Sequence, residues 1–496
     1  MPHGQGFPVD VLRALGRPGH RGRCVRGLSL TVAAVVLATG GCGDRAGDAS
    51  RSKSLGESKP NILLITIESI RADHVGCYGY DRPVTPHIDA LARQATRYSR
   101  AYSVTSWTLT SHASMFTGLY PTAHQVLGPT DRLGDAYITI AEFLAPVGYQ
   151  RAAVVSGPYL SRKHNLNQGF GVYVDSPITP GGDKAAAEDI TNAKVEAAVN
   201  DFLRHQRSTS RPFFLFVYVW DPHYDYIPPP PFDRRFVPES AEPIDVTNYE
   251  IGGVVTEEAT SEQMDYVIAQ YDGEIACTDA MLGRFWATLQ ELGLWDSTAI
   301  LLTADHGESF FEHGTKGHKN DLYVESLHVP LIVKAPNQKT ARVDDRLVNL
   351  IDLHPTILEL AGVDPGPTIH GRSLLADPRS ASDPVYFELE TSWYFTRRTT
   401  GEKYKKSQHW RAVLSGGRKL IHQEEDGRWE FYDLAADPAE QSPLAATGGE
   451  GQQRLRALLA DWRMSMKAVA ATYEAGGEAD LSPDDVKRLR GLGYVK

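Results

Sequence analysis

An aspartate and three histidines lie close together in the chain between residues 305 and 318. Asp305 and His306 follow the apolar run Leu301-Leu-Thr-Ala304, and a glycine-rich loop then carries His313 and His318. Carboxylate and imidazole groups are the ligands that divalent metal ions bind in proteins. Because Asp305 and His306 end a strand-like segment, the sequence predicts half of a metal site there, and other segments must supply the remaining ligands.

A second apolar run, from Pro60 to Ile67, also ends in a carboxylate, that of Glu68. A continuous apolar run led by a proline is typical of a central strand in a sheet that is covered on both faces. In open α/β sheets, sites form at the carboxyl ends of the strands. Glu68 and the Asp305-His306 pair are therefore predicted at the same sheet edge.

The segment from Ser106 to Pro121 contains a candidate nucleophile, the hydroxyl group of Thr108. The pattern predicts a helix that Ser111 caps and that Gly118 and Pro121 close. Thr108 would then lie just ahead of the helix N-terminus, where free backbone N–H groups and the helix dipole favour an anion. A hydroxyl in that place, beside a metal ion, can attack a phosphate or sulfate group.

Two carboxylates, an imidazole and a hydroxyl, from Glu68, Asp305, His306 and Thr108, suit a divalent metal ion such as zinc, manganese, calcium or magnesium. The metal would lower the pKa of the Thr108 hydroxyl and polarise the oxygens of the substrate. Each residue alone has a simpler interpretation: Thr108 as a helix cap, and Glu68 as an ordinary loop charge. The set of four favours the metal site.

The surrounding pattern alternates strands with helices, which predicts an α/β fold with a doubly wound, mainly parallel sheet. The helices are predicted at His87–Arg97 and Met264–Leu292, and the further strands at Gln150–Ser156, Pro212–Trp220, Thr298–Thr303 and Leu327–Lys334.

The pattern changes near residue 376. Shorter alternating segments follow, at 385–390, 410–414, 419–423 and 429–433, and then a helix at 453–470. They predict a small antiparallel sheet with a helix. We therefore divide the chain into a catalytic domain, 59–375, and a smaller C-terminal α+β subdomain, 376–496.

The N-terminal 42 residues predict export. Three arginines precede an apolar segment from Leu28 to Ala38, and small residues lead to Cys42. This order is typical of a secretory signal, and the cysteine resembles that of a bacterial lipoprotein signal. We expect residues 1–42 to be the signal, 43–58 a flexible tether, and the mature protein a periplasmic or cell-surface lipoprotein anchored through Cys42. The alternative is a buried helix of the fold.

The charge of the chain argues against nucleic acid as a partner. The formal net charge is -11, with 42% hydrophobic and 23% charged residues. Acidic proteins repel the phosphate backbone. Beyond the signal, only Cys77 and Cys277 remain, which is too few for a disulfide framework and favours two buried thiols over one bridge.

The whole region from 59 to 496 carries a family resemblance. The chain resembles the sulfatase family of the alkaline phosphatase superfamily in Asn61 to Tyr80, Trp107 to Pro121, Asp305 to Ser309, Leu322-Tyr323, Val329 to Ile332 and Leu481 to Tyr494. The resemblance implies the fold of that superfamily and metal-dependent transfer or hydrolysis of sulfate or phosphate esters.

Two departures bear on the chemistry. Sulfatases carry a Cys/Ser-x-Pro-x-Arg motif whose first residue is oxidised to formylglycine, and this motif falls on Thr108 to His112, which has none of its defining residues. A threonine nucleophile is similar to that of phosphodiesterases and phosphoethanolamine transferases. Glu68 stands where most sulfatase-like chains have Asp, which again resembles the transferases. The metal set implied by the resemblance is Glu68, Thr108, Asp305 and His306.

Further site residues are implied by the resemblance. His223 is similar to the sulfatase histidine that contacts the transferring group, although a surface histidine beside a proline turn is the alternative. His318 would contact the same group or hold a second metal. His112 and Lys319 would add positive charge. Solvated lysines and plain loop structure are the alternatives for Lys316, Lys319, Glu312 and His313.

The predicted function is that of an exported, metal-dependent hydrolase of phosphate or sulfate esters, with Thr108 as the covalent nucleophile. Three alternatives remain: a sulfatase that works without formylglycine, a phosphoethanolamine-type transferase acting on a membrane lipid or glycan, and a binding protein with impaired catalysis. The substrate is a small-molecule, lipid or glycan ester that the loops 157–185, 224–262 and 391–409 would select. The oligomeric state stays open.

Overall fold

The computed structural model describes most of the chain from residue 59 onwards. The described residues are 59–176, 191–239, 241–247, 249, 253–380, 382–396 and 403–491. The predicted signal, the tether and Cys42 lie outside them.

The secondary structure alternates in the first three quarters of the chain and is antiparallel in the last. In chain order the strands are β1 (Asn61–Ile67), β2 (Thr96–Tyr102), β3 (Gln150–Val155), β4 (Val172–Val174), β5 (Phe213–Val219), β6 (Thr298–Ala304), β7 (Ser309–Phe310), β8 (Lys316–Gly317), β9 (Leu331–Lys334), β10 (Arg342–Asn349), β11 (Val385–Thr396), β12 (Lys403–Ser415), β13 (Arg418–Gln423) and β14 (Arg428–Asp433). The α-helices are α1 (Pro86–Ala92), α2 (Thr108–Thr117), α3 (Pro121–His124), α4 (Ile140–Leu144), α5 (Asn192–Asp201), α6 (Ser261–Glu291), α7 (Val324–Leu327), α8 (Leu353–Leu360), α9 (Glu450–Ala470) and α10 (Pro483–Gly491).

The large sheet has eight strands in the order β10-β2-β9-β6-β1-β5-β3-β4. Its neighbours pair in parallel, except that β9 runs antiparallel to both β2 and β6. The mainly parallel α/β fold is therefore confirmed. The three central strands β6, β1 and β5 are almost wholly buried, as their uninterrupted apolar runs predict.

The register of these central strands decides where the functional residues meet. Ile67, the last residue of β1, pairs with Ala304 of β6 on one side and with Val219 of β5 on the other. The next residue in each chain segment therefore leaves the sheet at the same level. Glu68 and Asp305 are thus brought side by side at the carboxyl edge, which confirms the placement that the two apolar runs predict.

The second sheet is the predicted C-terminal antiparallel one. Strands β11-β12-β13-β14 lie in sequence order, and each pairs antiparallel with its neighbour. Helix α9 packs against β12 and β13. The first two strands extend well beyond the segments predicted at 385–390 and 410–414. The boundary near 376 stays a prediction.

Two segments differ from the predicted pattern. The helix predicted at His87–Arg97 ends at Ala92, and Thr96 begins β2, which pairs with β9 and β10. The strand predicted from Leu327 begins only at Leu331. In both segments short-range apolar spacing suits a helix and a strand equally well, and pairing with distant strands decides between them.

Helix α2 starts earlier than its sequence predicts. Its first helical residue is Thr108, and Trp107 occupies the N-cap position. Ser111 lies inside the helix and is no cap, because its hydroxyl donates to the backbone oxygen of Asp305 (2.7 Å). Gly118 ends the helix as predicted, with a left-handed φ of 70°, and a Cβ atom there would lie 3.0 Å from the ring of His354.

The described residues bear on membrane-spanning helices and on the two cysteines. Among these residues no helix is long and apolar enough to cross a membrane. Cys77 and Cys277 are free, half-buried thiols, and burial raises the pKa of Cys77 to about 12 and that of Cys277 to about 11. Both are therefore poor nucleophiles at neutral pH.

Several buried histidines lie in the scaffold away from the metal-site residues. His124, His164 and His354 are at most 1% exposed. Burial lowers the pKa of His124 and His354 to about 3 and that of His164 to about 4. All three are thus neutral in the folded protein, whereas the unfolded chain protonates them below its ordinary histidine pKa of about 6.5.

We expect acid to destabilise the fold for this reason. The stabilising contribution is complete above the unfolded pKa and is lost as the pH falls below it, by about 1.4 kcal/mol per histidine at pH 5.5. Urea unfolding between pH 5 and 8 measures the loss. His354→Leu should recover about 1.4 kcal/mol of it at pH 5.5. An unchanged slope in His354→Leu would contradict the expectation.

Candidate active site

The carboxyl edge of the sheet and the first turn of α2 bring four side chains together. Glu68 follows β1, Asp305 and His306 follow β6, and Thr108 opens α2; all four are fully buried. His306 Nε2 lies 3.0 Å from Glu68 Oε1 and 3.6 Å from Asp305 Oδ2. The structure therefore gathers the four residues that the sequence assigns to a metal site.

The hydroxyl of Thr108 lies against this cluster. Its Oγ1 atom is 3.3 Å from both carboxylate oxygens of Glu68 and 3.2 Å from His306 Nε2. Its position as the first residue of a ten-residue helix with no side-chain cap places it where the helix dipole favours negative charge. The hydroxyl thus shares its surroundings with the ligand atoms and with an anion-favouring helix end.

The donor set fits a divalent metal ion. The Oδ2 atom of Asp305 is buried and has no hydrogen-bond partner, which costs free energy unless a cation compensates it. The Nδ1–H of His306 donates to the backbone oxygen of Gly307 (2.9 Å), so its Nε2 faces the carboxylates as in metal-binding histidines. Glu68, His306 and His318 offer ligand atoms within 4.8 Å of one another.

The charges of the cluster are strongly interdependent. Burial opposes ionisation of His306, but the nearby Asp305 and Glu68 carboxylates raise its pKa to about 9. Burial and the negative charge of Glu68 together raise the pKa of Asp305 to about 8. Burial also opposes ionisation of Glu68, yet the charge of His306 outweighs it and lowers that pKa to about 2. Two buried carboxylates this close favour a positive charge between them.

A set of polar groups that the sequence pattern did not single out holds the ligands in place. The Tyr218 hydroxyl and the Ser69 hydroxyl both donate to Glu68. The backbone N–H of Ser69 donates to Asp305 Oδ1 (3.2 Å), from a left-handed φ of 54°. In the sequence, Tyr218 stands out only as a hydroxyl-bearing residue in the otherwise apolar run of β5. The sequence does not show that Glu68 is its partner.

His112 is held by protein groups in the first turn of α2. Its Nδ1–H donates to the backbone oxygen of Thr108 (2.8 Å), and its Nε2 is 2.9 Å from the hydroxyl of Thr66. Burial lowers its pKa to about 4, so the ring is neutral near pH 7. Both ring nitrogens are engaged with protein groups. His112 therefore supports the backbone of the first turn of α2 and offers the substrate no charge.

His223 and His318 lie on the other side of the cluster. The His318 ring is 4.5 Å from that of His306 and 5.3 Å from that of His223, measured between centroids. His223 stacks on Trp220. The Nδ1–H of His318 donates to Glu308 Oε1 (3.2 Å), a carboxylate that the sequence pattern left without a role. The two histidines and the four cluster residues thus share one buried region.

Lys319 lies in this buried region, whereas Lys316, Glu312 and His313 contact neighbouring segments. Lys319 is 1% exposed and donates to the Tyr224 hydroxyl (2.9 Å), so it is not a solvated lysine. Lys316 donates to the backbone oxygen of Val255 and lies over the ring of Tyr249. Two other groups bind the loop to its neighbours: Glu312 pairs with Arg71, and His313 pairs with Glu325.

Fold and site together define a sulfatase-like ester hydrolase of the alkaline phosphatase superfamily. The chain belongs to the sulfatase family, whose model matches residues 60–363. A second model, for the C-terminal region of N-sulphoglucosamine sulphohydrolase, matches residues 312–463. That match crosses from the large sheet into the C-terminal one.

Curated relatives are similar over most of their length. An arylsulfatase of Clostridium perfringens is 26% identical, with 78% of this chain and 90% of that protein covered. Arylsulfatase K of Bos taurus is 23% identical, with 81% and 82% covered. An N-acetylglucosamine-6-O-sulfatase of Bacteroides thetaiotaomicron is 24% identical, with 82% and 87% covered.

Solved structures share the fold. A phosphonate monoester hydrolase of Agrobacterium radiobacter has a TM-score of 0.64 at 22% identity, with 82% of this chain and 95% of that chain covered. A protein in complex with its substrate D-glucosamine-2-N,6-O-disulfate has a TM-score of 0.64 at 20% identity, with 83% and 99% covered. Both sulfate and phosphonate esters are therefore named for proteins of this fold.

We expect Asp305→Asn to weaken binding of a divalent metal ion at least about tenfold, because it removes the negative charge of a buried carboxylate whose Oδ2 atom has no hydrogen-bond partner. Calorimetric titration of chelator-treated protein with zinc, manganese, calcium and magnesium measures the affinity. The exposed Glu239 changed to Gln is the control and should bind as the wild type does. Equal affinity in Asp305→Asn and the wild type would contradict the assignment.

Proposed function

We propose that the protein is a metal-dependent hydrolase that cleaves sulfate or phosphate-type esters through a covalent ester of Thr108. The supporting observation is the contact of Thr108 Oγ1 with both oxygens of Glu68 and with His306, at the start of α2. A hydroxyl in that position has acceptors for its proton and a helix end for the charge of the substrate. Phosphodiesters, phosphomonoesters, phosphonates and sulfate esters are the candidate substrates.

The reaction has two steps. Thr108 Oγ1 gives up its proton and forms a bond to sulfur or phosphorus, while the alcohol oxygen leaves on the opposite side and takes up a proton. Water then attacks the same atom, the bond to Oγ1 breaks, and Thr108 regains its proton. One water is consumed and no electrons are exchanged. A divalent ion held by Glu68, Asp305 and His306 would lower the pKa of the hydroxyl and polarise the ester oxygens.

The surrounding side chains stabilise the equatorial oxygens, where charge stabilisation is needed most. Lys319 is the fixed cation of the region, held by its bond to the Tyr224 hydroxyl (2.9 Å). His318 is oriented by Glu308, and His223 by the backbone oxygen of Tyr224. We assign these three residues to substrate binding, and we assign His112 to supporting α2.

The names of the relatives favour hydrolysis of a sugar or small-molecule ester as the reaction. Relatives of this chain are named for arylsulfate and N-acetylglucosamine-6-sulfate, and structural neighbours for phosphonate monoesters and a glucosamine disulfate. Sulfates, phosphonates and phosphodiesters share one tetrahedral centre with a single negative charge. We propose a small-molecule or glycan ester of this kind as the substrate.

Transfer to an acceptor other than water is the second candidate. Threonine and glutamate, at positions 108 and 68, make the pair that resembles phosphoethanolamine transferases, and both are in contact here. A transferase would deliver the group from Thr108 to a lipid or glycan hydroxyl. Product analysis with an added polyol acceptor distinguishes the two, since only transfer yields a new ester.

The nucleophile is tested by replacing Thr108. Thr108→Ala should lower turnover by at least about a thousandfold, because no covalent ester can form, and Thr108→Ser should keep part of the activity. Aryl sulfate, phosphodiester, phosphomonoester and phosphonate substrates are assayed side by side. Thr117→Ala, at the opposite end of the same helix, is the control. Turnover by Thr108→Ala close to the wild-type rate would refute the covalent step.

We also propose export and lipid anchoring through Cys42. The supporting pattern is the basic, apolar and small-residue order that ends at this cysteine. Cell fractionation should place the wild type with membranes and Cys42→Ser in the soluble exported fraction or in an unprocessed form. Membrane association that persists in a processed Cys42→Ser protein would contradict the anchor.

A further inference from the structure

The hairpin that follows His306 leads into His318 and Lys319, which the proposed function assigns to substrate binding. Strands β7 and β8 pair over Ser309↔Gly317 and Phe310↔Lys316, and His318 and Lys319 come immediately after β8. The hairpin has only two short strands. What holds its tip therefore also decides where His318 and Lys319 lie.

His313, at the tip, is held on both ring nitrogens. Its Nδ1 is 2.7 Å from Glu325 Oε1, and its Nε2 is 2.8 Å from the backbone oxygen of Glu440 and 3.3 Å from the amide nitrogen of Gln441. The ring also stacks on Tyr323, with 3.7 Å between centroids and 7° between planes. A carbonyl and a carboxylate both accept, so a positively charged imidazolium, which donates from both nitrogens, fits the two partners.

Glu440 belongs to the C-terminal part of the chain and is itself fixed by buried partners. Lys419 on β13 pairs with it at 2.7 Å, and each side chain is 1% exposed. The backbone N–H of Val324 donates to its Oε2 (2.9 Å). Its φ is 57°, which is costly for a residue with a Cβ atom. The carbonyl that His313 contacts is therefore held in place by a buried ion pair of the antiparallel sheet.

Glu325, the other partner of His313, contacts the start of the loop. Its backbone oxygen accepts from the N–H of Glu308 (3.0 Å). The same oxygen would lie 1.9 Å from a Cβ atom on Gly307, so only glycine permits this close approach. The segment directly after His306 thus packs on the residue whose carboxylate holds His313.

We infer that His313 is a positioning residue of the active site, which couples the C-terminal antiparallel sheet to the hairpin that carries His318 and Lys319. The inference rests on the proposed function, because it concerns residues that contact the substrate there. Loss of either contact of His313 frees the hairpin tip, and a shift of about 1 Å at a reacting group can cost about a hundredfold in rate.

The charge of this imidazolium makes the coupling sensitive to alkali. Burial opposes ionisation, but the hydrogen bond and negative charge of Glu325 raise the pKa of His313 to about 9. The other charged groups around the ring are Asp321, the Lys419–Glu440 pair and, on the same loop, Glu312. The folded pKa exceeds the ordinary value of about 6.5. The stabilising contribution of these contacts is therefore complete below pH 6.5 and is lost as the pH rises through about 9.

Two substitutions test the inference. Neither new side chain can titrate, and each keeps one of the two hydrogen-bond donors of the imidazolium ring. His313→Asn keeps a donor near Nδ1 for Glu325, and His313→Gln keeps one near Nε2 for the Glu440 carbonyl. We expect kcat/KM to fall at least about tenfold in both, mainly through kcat, with metal content unchanged. We also expect the wild-type kcat/KM to decline as the pH rises through about 9, and the part of this decline that His313 causes should be absent from both variants. His422→Gln, a histidine stacked on Trp429 in the same sheet, is the control and should match the wild type.

Glu325→Gln is the conservative variant, since its amide oxygen still accepts from His313 without the negative charge. In this variant the decline of kcat/KM at alkaline pH should move to lower pH by one unit or more. Variants of His313 with wild-type kcat/KM and pH profile would overturn the inference, as would an unshifted decline in Glu325→Gln. A wild type without turnover of any ester would instead count against the proposed function, so the two failures are distinguishable.

Discussion

The burial of two carboxylates at one edge of the large sheet is the constraint on which the structure depends. Glu68 and Asp305 are both fully buried, with His306 between them. Removing such charges from water costs several kcal/mol per ion, and partial compensation comes from His306 and from the hydroxyls of Ser69 and Tyr218. Asp305 Oδ2 still lacks a hydrogen-bond partner. A divalent cation bound at this edge would compensate what the protein groups leave unsatisfied.

The remaining architecture serves to keep that edge rigid. The parallel register of β1, β5 and β6 sets the level at which the carboxylates leave the sheet. Helix α2 is tied to the same edge, because Ser111 donates to the Asp305 backbone and His112 to the Thr108 backbone. The hydroxyl of Thr108 is thus positioned by main-chain contacts on both sides, a form of preorganisation that catalysis by charge stabilisation requires.

Family membership and local chemistry describe the protein at different levels. The sulfatase family accounts for the fold, the sheet edge and the general class of ester. Thr108 and Glu68 are the two positions at which the sequence departs from the sulfatase pattern described above. The neutral His112 lies where the sulfatase motif has an arginine, and its ring bonds to the backbone of Thr108. The proposed function therefore assigns anion binding to Lys319 and gives His112 a supporting role.

The sequence by itself determined the α/β class, the central strands and the ligand types, because apolar runs report burial on both faces and motif residues report chemistry. It predicted that Glu68, Thr108, Asp305 and His306 meet. It was wrong about the start of α2 and the length of the helix at His87–Arg97. Only the tertiary structure decided these, together with the contacts of Tyr218 and His313. Periodicity records how an element faces its own surroundings, whereas these features depend on contacts with other segments that only the folded chain brings together.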